Sequence, residues 1–435
     1  MKPENATASH VGVAPIGAAA QNTQIPRSAS SFVLNVAALL IGLAAIAASE
    51  GLWPGDSGRA ILVAGAAVAL TIVIVEALTI GVATRASTGL VPQAMRPLLW
   101  GDAALRCLGL GVTLAVVAFA YWLLPEYHGS FYAPYWQFLH AVAWPALFLA
   151  PIYFLWTGRR LQVPEDAYLQ LGRFVTGRGS SQIDSSVLRA HFLAWTVKAF
   201  FLPLMVVYLD GQIGAVLGTF HELSWDTMRL YRFCYELSFL IDLLFCVVGY
   251  TVTLRLFDSQ IRSTEPTVLG WVVALICYQP FYSVVGNAYL NYESGFFWDT
   301  WLASYPVLRA VWALAIVLLL IVYALSTVSF GLRFSNLTHR GIITSGPYRY
   351  TKHPAYVSKN LSWWLISVPF VAHAGWLEAM RHCALLGMLN FVYFLRAKTE
   401  ERHLSRDPQY VAYALWISSH GVFRWLRFLH TQAMR

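Results

Sequence analysis

The sequence predicts an all-α integral membrane protein. Of its 435 residues, 57% are hydrophobic and only 12% are charged, whereas soluble domains carry about 25% charged residues. The apolar residues also fall into long runs, and a run of about 20 is what a bilayer core roughly 30 Å thick requires. These observations exclude a water-facing surface over most of the chain.

About ten transmembrane helices account for the apolar runs. The shorter runs, above all 356–374, have a second interpretation as buried or re-entrant helices. The predicted spans are 32–49, 60–83, 104–124, 135–157, 190–209, 233–254, 268–290, 306–330, 356–374 and 377–396.

Basic residues predict the orientation, because cytoplasmic loops of membrane proteins are enriched in Lys and Arg. Most of them follow spans two, four, six, eight and ten: Arg85, Arg96, Arg159, Arg160, Arg173, Arg178, Arg255, Arg262, Arg333, Arg340, Arg349, Lys352, Lys359, Lys398, Arg402, Arg406, Arg424, Arg427 and Arg435. Both termini are therefore expected in the cytoplasm, with the protein in the plasma (inner) membrane if the source is bacterial. The net charge of +8 reflects this topology. It does not indicate nucleic-acid binding, because the basic residues are spread over several loops and form no compact basic domain.

The chain divides into three predicted segments. Residues 1–30 are rich in Ala, Ser, Thr, Asn and Gln, so we expect a disordered cytoplasmic tail before an uncleaved first span. Residues 31–304 form a transmembrane bundle of unassigned role, and residues 305–435 form a C-terminal domain. The five cysteines lie in or beside apolar spans. We expect them to pack as apolar side chains, and we expect neither a disulfide framework nor a zinc site.

The loop from Gly331 to Lys359 is dense in polar, aromatic and turn-forming residues. Gly346-Pro347 indicates a tight turn. Pro354 can begin the next helix, because its missing N–H falls where helix donors are unpaired anyway. A helix that begins there points free N–H groups and the positive end of its dipole at any nearby anionic group.

A second polar cluster runs from Arg396 to Leu404 and continues through Asp407 to Tyr413. Two helices of about 20 residues, joined by a turn near His373–Trp376, fill the chain between His353 and this cluster. Such a hairpin goes out roughly 30 Å and returns, so both clusters are predicted on one membrane face, the cytoplasmic one.

Together the two clusters resemble the isoprenylcysteine carboxyl methyltransferase family, which shares its core with the membrane phospholipid methyltransferases. The resemblance is carried by Thr344-Ser-Gly-Pro-Tyr-Arg-Tyr-Thr-Lys-His-Pro-Ala-Tyr356, then by Arg396-x-x-x-Glu-Glu401 and by Asp407-Pro-x-Tyr-x-x-Tyr413. It covers about residues 306–430. A lone His-Pro is uninformative, whereas the ordered motifs at this spacing are specific.

The resemblance implies an S-adenosylmethionine site, a lipid or lipid-attached substrate and no metal. The implied cofactor-binding residues are Ile342 and Ile343 on the adenine side, Tyr348 over the cofactor, His353, Pro354, Ala355 and Tyr356 at the methionine end, and Glu400 and Glu401 at the ribose hydroxyls or ammonium group. The implied catalytic residues are Arg396 and Lys398, where the family places a basic residue near the methyl acceptor, with Glu401.

Two positions depart from the family pattern. Lys352 replaces the usual Arg before His-Pro, which keeps the charge but loses the bidentate fork. Ser358 replaces the usual Gly two residues after the motif Tyr356, where close backbone approach to the cofactor becomes harder.

Methyl transfer from a sulfonium is an in-line displacement that requires alignment and desolvation of the acceptor rather than a nucleophilic side chain. A carboxylate acceptor would be held by a nearby cation, and an amine acceptor could lose its proton to Glu400 or Glu401. Prenylated cysteine, a phospholipid amine and another amphiphile all stay open as acceptors.

Simpler interpretations exist for the candidate residues. His353 could be an interface histidine, Glu400 and Glu401 could be solvated partners of basic neighbours, and Arg396 could snorkel at a helix end. Four ionisable residues lie at membrane depth, where internal pairing is favoured and a polar substrate pocket is the alternative: Glu76, Lys198, Glu236 and Asp242.

Two aromatic segments are expected at the membrane surfaces. An outer interfacial belt is predicted from Tyr121, Trp122, Tyr127, Phe131, Tyr132, Tyr135 and Trp136. Residues Tyr410 to His430 are predicted to form a basic amphipathic helix on the cytoplasmic surface.

A lipid-substrate methyltransferase is the leading hypothesis. One alternative is an NADPH-dependent membrane reductase of the sterol type, which has a similar C-terminal layout. The other is a transport or lipid-binding protein with a catalytically inactive C-terminal domain.

Overall fold

The structure, a computed structural model, describes residues 24–97, 99–178, 183–293, 295–371 and 375–424. It is 74% helical, which confirms the all-α membrane fold. The helices are α1 (Phe32–Leu52), α2 (Ser57–Ile80), α3 (Trp100–Leu123), α4 (Ala133–Gly158), α5 (Ala167–Val175), α6 (Ser185–His221), α7 (Thr227–Thr251), α8 (Val268–Leu275), α9 (Trp298–Trp301), α10 (Pro306–Val328), α11 (Pro354–Ser367), α12 (Trp376–Leu404) and α13 (Pro408–His420). Strands β1 (Ser263–Thr264) and β2 (Thr338–His339) pair antiparallel.

Parts of three predictions lie outside the described residues. They are the first 23 residues of the predicted tail, the residues at 373 and 374 in the predicted hairpin turn, and the predicted surface helix beyond Arg424. Within the described residues, helix α13 covers the first part of that segment and ends at His420.

Seven described helices are long and apolar enough to cross a membrane: α1, α2, α3, α4 with its preceding turn, α6, α7 and α10. They correspond to predicted spans one to six and eight. Large apolar side chains face outward on them, as a lipid environment requires; Leu70 is 57% exposed and Leu318 is 54% exposed.

The other three predicted spans differ from expectation. Span 268–290 is interrupted, with α8 ending at Leu275 and a π-helical turn covering Ser283–Tyr289. Helix α11 has 14 residues, which corresponds to about 21 Å and is short for a bilayer core. Helix α12 has 29 residues and reaches Leu404, so the acidic pair lies within this helix and not beyond it.

The interrupted segment still runs the length of the bundle. It begins beside β1, which follows the C-terminal end of α7, and it ends near Trp298, whose ring lies 4.9 Å from that of Tyr231 in the first turns of α7. Pro280 lies inside the segment and cannot donate a helical hydrogen bond. The break leaves side chains such as Tyr278 free to line the interior of the protein.

Helix starts are fixed by short polar side chains that accept from the first free N–H groups. Ser31 accepts from the amide of Leu34, and Asp226 accepts from the amides of Met228 and Arg229. These caps end the loops at defined residues, which sets the depth of each helix.

The first helix packs directly on the C-terminal region. Asn35 on α1 donates to the carbonyl of Val328 at 2.8 Å. The turn after α10 needs Gly331, which has φ +55 and whose hypothetical Cβ would lie 2.6 Å from the Asn35 amide oxygen. The N-terminal bundle therefore forms one packed unit with the C-terminal helices.

Candidate functional site

The loop after α10 and the end of α12 meet at one end of the bundle. His353 Nε2 lies 3.1 Å from Glu401 Oε1, and the Tyr356 hydroxyl donates to Glu400 Oε2 at 2.9 Å. The structure thus brings together the two segments that the sequence places on one face, because the α11–α12 hairpin returns the chain to its starting level.

Glu401 is the centre of an ion-pair network. Lys352 Nζ lies 2.5 Å from Oε1, and Lys398 Nζ lies 3.1 Å from Oε2. Burial raises the pKa of a carboxyl group, but hydrogen bonds from His353 and Lys352 outweigh it and hold the pKa of Glu401 well below its usual range. Glu401 therefore stays ionised and ties the loop to α12.

A cavity of about 830 Å³ opens beside this junction. Its volume is within the range of small-molecule sites. Six of the predicted site residues line it: Tyr348, His353, Ala355, Tyr356, Arg396 and Glu400. We call this part the near end of the cavity.

The structure corrects the expectation for Ile342 and Ile343. Both are buried, and Ile342 packs against Tyr413 and other residues of α13. The Ile342 carbonyl accepts from the amide of Ala29, so the segment before α1 covers this part of the loop. Ile342 lies in an apolar cluster with α13 rather than along the cavity, and Ile343 is buried and does not line the cavity either.

Three further predicted residues lie behind the cavity wall. Pro354 is buried at the start of α11. The Glu401 carboxylate is taken up by its ion pairs. The Lys398 side chain is 54% exposed, and its Nζ lies between Glu401 and the ring of Phe394, away from the cavity.

Arg396 is the predicted catalytic residue that faces the cavity. It is 8% exposed, and its guanidinium donates to Asn336 Oδ1 at 2.5 Å. The guanidinium carbon lies 5.3 Å from the ring of Tyr356 and 5.8 Å from that of Tyr393. Arg396 is therefore a buried cation held by neutral groups and not a snorkelling residue.

A polar cluster deeper in the cavity was not predicted as a site. Asp242 on α7 accepts from the Tyr323 hydroxyl at 2.6 Å and from the Thr327 hydroxyl. Lys359 on α11 places its Nζ 5.1 Å from the ring of Tyr323 and 5.5 Å from that of Trp363. The sequence indicated Asp242 because this residue lies at membrane depth, whereas Lys359 entered the sequence analysis only as a basic residue that indicates the orientation.

The chain before the C-terminal region also contributes to the near end. Glu265 and His403 are both buried and line the cavity. His403 Nε2 lies 2.8 Å from the Ser263 hydroxyl. Burial lowers the pKa of His403, and the nearby Glu265 offsets this only in part, so the imidazole is neutral near pH 7.

The four ionisable residues at membrane depth do not pair with one another, contrary to the favoured expectation. Glu76 binds Arg333 in the loop after α10, Lys198 donates to the Thr253 hydroxyl, and Glu236 accepts from Gln212. Asp242 lines the cavity, which is the alternative interpretation.

Together, the fold and the cavity define a polytopic membrane protein with a charged site at one end of an internal cavity. Residues 303–406 match the model of the isoprenylcysteine carboxyl methyltransferase (ICMT) family. The match spans α10, α11 and α12 and covers just under a quarter of the chain. It confirms the resemblance of the C-terminal part to this family and supports a membrane methyltransferase. No curated protein and no solved structure matches the chain.

The boundaries of the match differ slightly from those of the resemblance. It ends before Asp407, so α13 and its two motif tyrosines lie beyond it. Tyr413 nevertheless supports the loop, because its hydroxyl donates to the carbonyl of Tyr348 at 2.6 Å.

Proposed function

We propose that this protein transfers a methyl group from S-adenosylmethionine to a lipidic or lipid-attached acceptor at the cytoplasmic face of the membrane. The observation that carries the proposal is the convergence of His353 and Tyr356 with Glu400 and Glu401 at the end of a cavity that holds a buried cation. The basic residues around this end, which favour the cytoplasmic side, support the orientation.

The residues at the near end fit the chemistry of the cofactor. Glu400 faces the cavity and can accept from ribose hydroxyls or an ammonium group. The rings of Tyr348 and Tyr356 can contact a cation through their faces. The start of α11 offers the backbone N–H groups of Ala355 and Tyr356 to an anionic group, since His353 at the N-cap turns its ring to Glu401.

When bound, S-adenosylmethionine supplies an electrophilic methyl group on a sulfonium. The residues of the chain then have to bind the cofactor and the acceptor, orient them for in-line transfer and exclude water from the acceptor. Glu401 fixes the loop against α12 through its ion pairs, and the tyrosines around Arg396 exclude water from the cation.

Arg396 supports a carboxylate acceptor over an amine. A buried guanidinium with one amide partner attracts an anionic oxygen through charge-assisted hydrogen bonds. The same charge repels an ammonium group at a low local dielectric. We therefore propose O-methylation as the reaction.

The test incubates purified protein with radiolabelled S-adenosylmethionine and native lipids, and then extracts the lipids. The expected result is label in one lipid species that mild base releases, as it would from a methyl ester. Base-stable label would overturn O-methylation in favour of an amine acceptor. An unlabelled lipid fraction would overturn the proposed activity.

Two variants address the alternative of an inactive C-terminal domain. His353→Ala and Glu401→Ala both remove contacts that hold the loop to α12, so each is expected to abolish label transfer. Glu378→Gln, at the opposite end of α12, is the matched control and should transfer label at the wild-type rate. Full label transfer in both alanine variants would remove these residues from the site, and no transfer by the wild-type protein would favour the inactive-domain hypothesis.

A further inference from the structure

The cavity extends well beyond the region that matches the ICMT family. Helices α6 and α7 provide much of its wall, and both precede residue 303. Their contributions include Met205 and Asp210 on α6 and Phe239 and Leu243 on α7. The part of the cavity that α6 and α7 line lies beyond the near end, so it is not needed to hold the methyl donor.

The cavity runs along most of the bundle. At the near end, Lys198 on α6 donates to the hydroxyl of Thr253, two residues after the end of α7, and the backbone amide of Asn336 donates to the hydroxyl of Tyr250. Asp210 lies twelve residues further along α6, which corresponds to about 18 Å. Asp210 Oδ1 accepts from the hydroxyl of Ser57, the first residue of α2, so it lies at the opposite end of the molecule.

This opposite part, lined by Ser130, Phe131, Asp210, Gly211 and Gln212, is the far end of the cavity. Ser130 and Gly211 are exposed, and Phe131 is 46% exposed. The cavity therefore reaches the protein surface there. Between the two ends, apolar side chains such as Met205, Phe239 and Leu243 line the wall beside the polar cluster that contains Asp242 and Lys359.

The positions of Glu400 and Arg396 place the acceptor deeper than the donor, because Arg396 lies one turn before Glu400 on the helix that ends at the near end. In an in-line displacement the attacking oxygen approaches the methyl carbon from the side opposite the sulfur. If Glu400 and the start of α11 hold the donor at the near end, the acceptor has to reach Arg396 from the interior. The interior is the part of the cavity that the N-terminal bundle forms.

We propose that the acceptor enters this cavity at the far end and binds between α6 and α7. This inference rests on the proposed function. The ligand is an elongated amphiphile: its reactive polar end lies at Arg396, its apolar part contacts Met205 and Leu243, and its other end lies near Asp210 and Gln212. The N-terminal bundle is then the substrate-binding part of the protein.

Two glycines on α6 allow a matched test. A Cβ at Gly211 or at Gly214 meets no atom within 4 Å, so a side chain fits at either position. Gly211 lines the cavity, whereas Gly214 lies about one turn further along α6. With radiolabelled S-adenosylmethionine and a total lipid extract, Gly211→Trp should raise the KM for the extract at least tenfold. Gly214→Trp should stay within twofold of wild type, and calorimetry should show unchanged S-adenosylmethionine affinity in both.

A second measurement requires no methyl transfer. Gly211→Cys and Gly214→Cys are treated with a membrane-impermeant sulfonated maleimide, with wild type giving the background from the five native cysteines. The lipid extract, added without S-adenosylmethionine, should slow modification at residue 211 at least fivefold and leave residue 214 unchanged.

The two measurements separate this inference from the proposed function. Equal KM values for the two tryptophan variants, with no protection of residue 211, would overturn entry at the far end. A wild-type protein that transfers no methyl group would overturn the proposed function, and protection of residue 211 would still show a lipid at the far end.

Discussion

Two regions of this protein hold buried charges, and they differ in how those charges are satisfied. At the junction between α2 and the loop after α10, Arg333 donates to both oxygens of Glu76, at 3.2 and 3.3 Å. Arg333 also donates to the carbonyl of Asp258, and Arg340 donates to the carbonyls of Gly249 and Val252. Each guanidinium there has several acceptors.

The cavity contains cations with far fewer partners. Arg396 donates to the amide oxygen of Asn336, and Lys359 contacts the rings of Tyr323 and Trp363. Asp242 lies near Lys359, but neither cation is in direct contact with a carboxylate, and a buried charge without such a contact is costly. The junction charges therefore hold the fold, whereas we expect the cavity cations to bind an anionic ligand.

Breaking the junction should have the largest effect. Glu76→Ala leaves Arg333 buried without its bidentate partner, which costs about 3–5 kcal/mol of stability. We expect a large drop in the thermal unfolding midpoint in detergent. The control is Glu126→Ala, at an exposed residue. An unchanged midpoint for Glu76→Ala would contradict the structural role of the junction.

Removal of the cavity guanidinium should affect activity instead of stability. Arg396→Met loses hydrogen bonds to two neutral partners, Asn336 and Tyr278, and no ion pair, so the unfolding midpoint should shift by only a few degrees. Methyl transfer should fall about 100-fold, as for loss of a donor to a reacting oxygen. Arg381→Met, at an exposed position on the same helix, should retain full activity. Wild-type activity in Arg396→Met would remove Arg396 from the site.

Lys359 should show a smaller effect of the same kind. Lys359→Met keeps most of the side-chain volume but leaves the nearby Asp242 carboxylate buried with only its two hydroxyl partners, so the unfolding midpoint should fall by a few degrees. The KM for the lipid acceptor should rise about tenfold, while calorimetry should give unchanged S-adenosylmethionine affinity. Strong destabilisation would instead place Lys359 with the structural charges.

The smallest effect concerns pH. The pKa of Glu401 is held below its usual range, so its ion pairs stabilise the folded state above about pH 4.3, the ordinary pKa of Glu. That contribution is lost as the pH falls through the lower folded-state pKa. Between pH 6 and 8, Glu401 stays ionised and should contribute no change in the unfolding midpoint. Below about pH 4 it should fall more steeply in wild type than in Glu401→Gln.

The sequence could predict the near end of the cavity because helical rise fixes how far a hairpin travels. The distance along the chain from His353 to Glu400 corresponds to one passage out and back, and the two residues therefore had to return to one level. The family match over residues 303–406 confirms the resemblance that the same motifs indicated.

The sequence could not predict the rest of the cavity wall. Whether Asp242 pairs inside the bundle or faces a ligand depends on the rotation of α7 against α10, which periodicity alone does not fix. Ile342 does not line the cavity because the segment before α1 and helix α13 cover it. The interruption after α8 had a local signal, Pro280, within an otherwise continuous apolar run.

The proposed methyl transfer depends on binding of S-adenosylmethionine at the near end of the cavity. Calorimetric titration of the purified protein with S-adenosylmethionine and, separately, with NADPH measures this binding. We expect saturable S-adenosylmethionine binding that Glu400→Gln weakens, and no NADPH binding. Tight NADPH binding without S-adenosylmethionine binding would rule out the cofactor site and favour a membrane reductase.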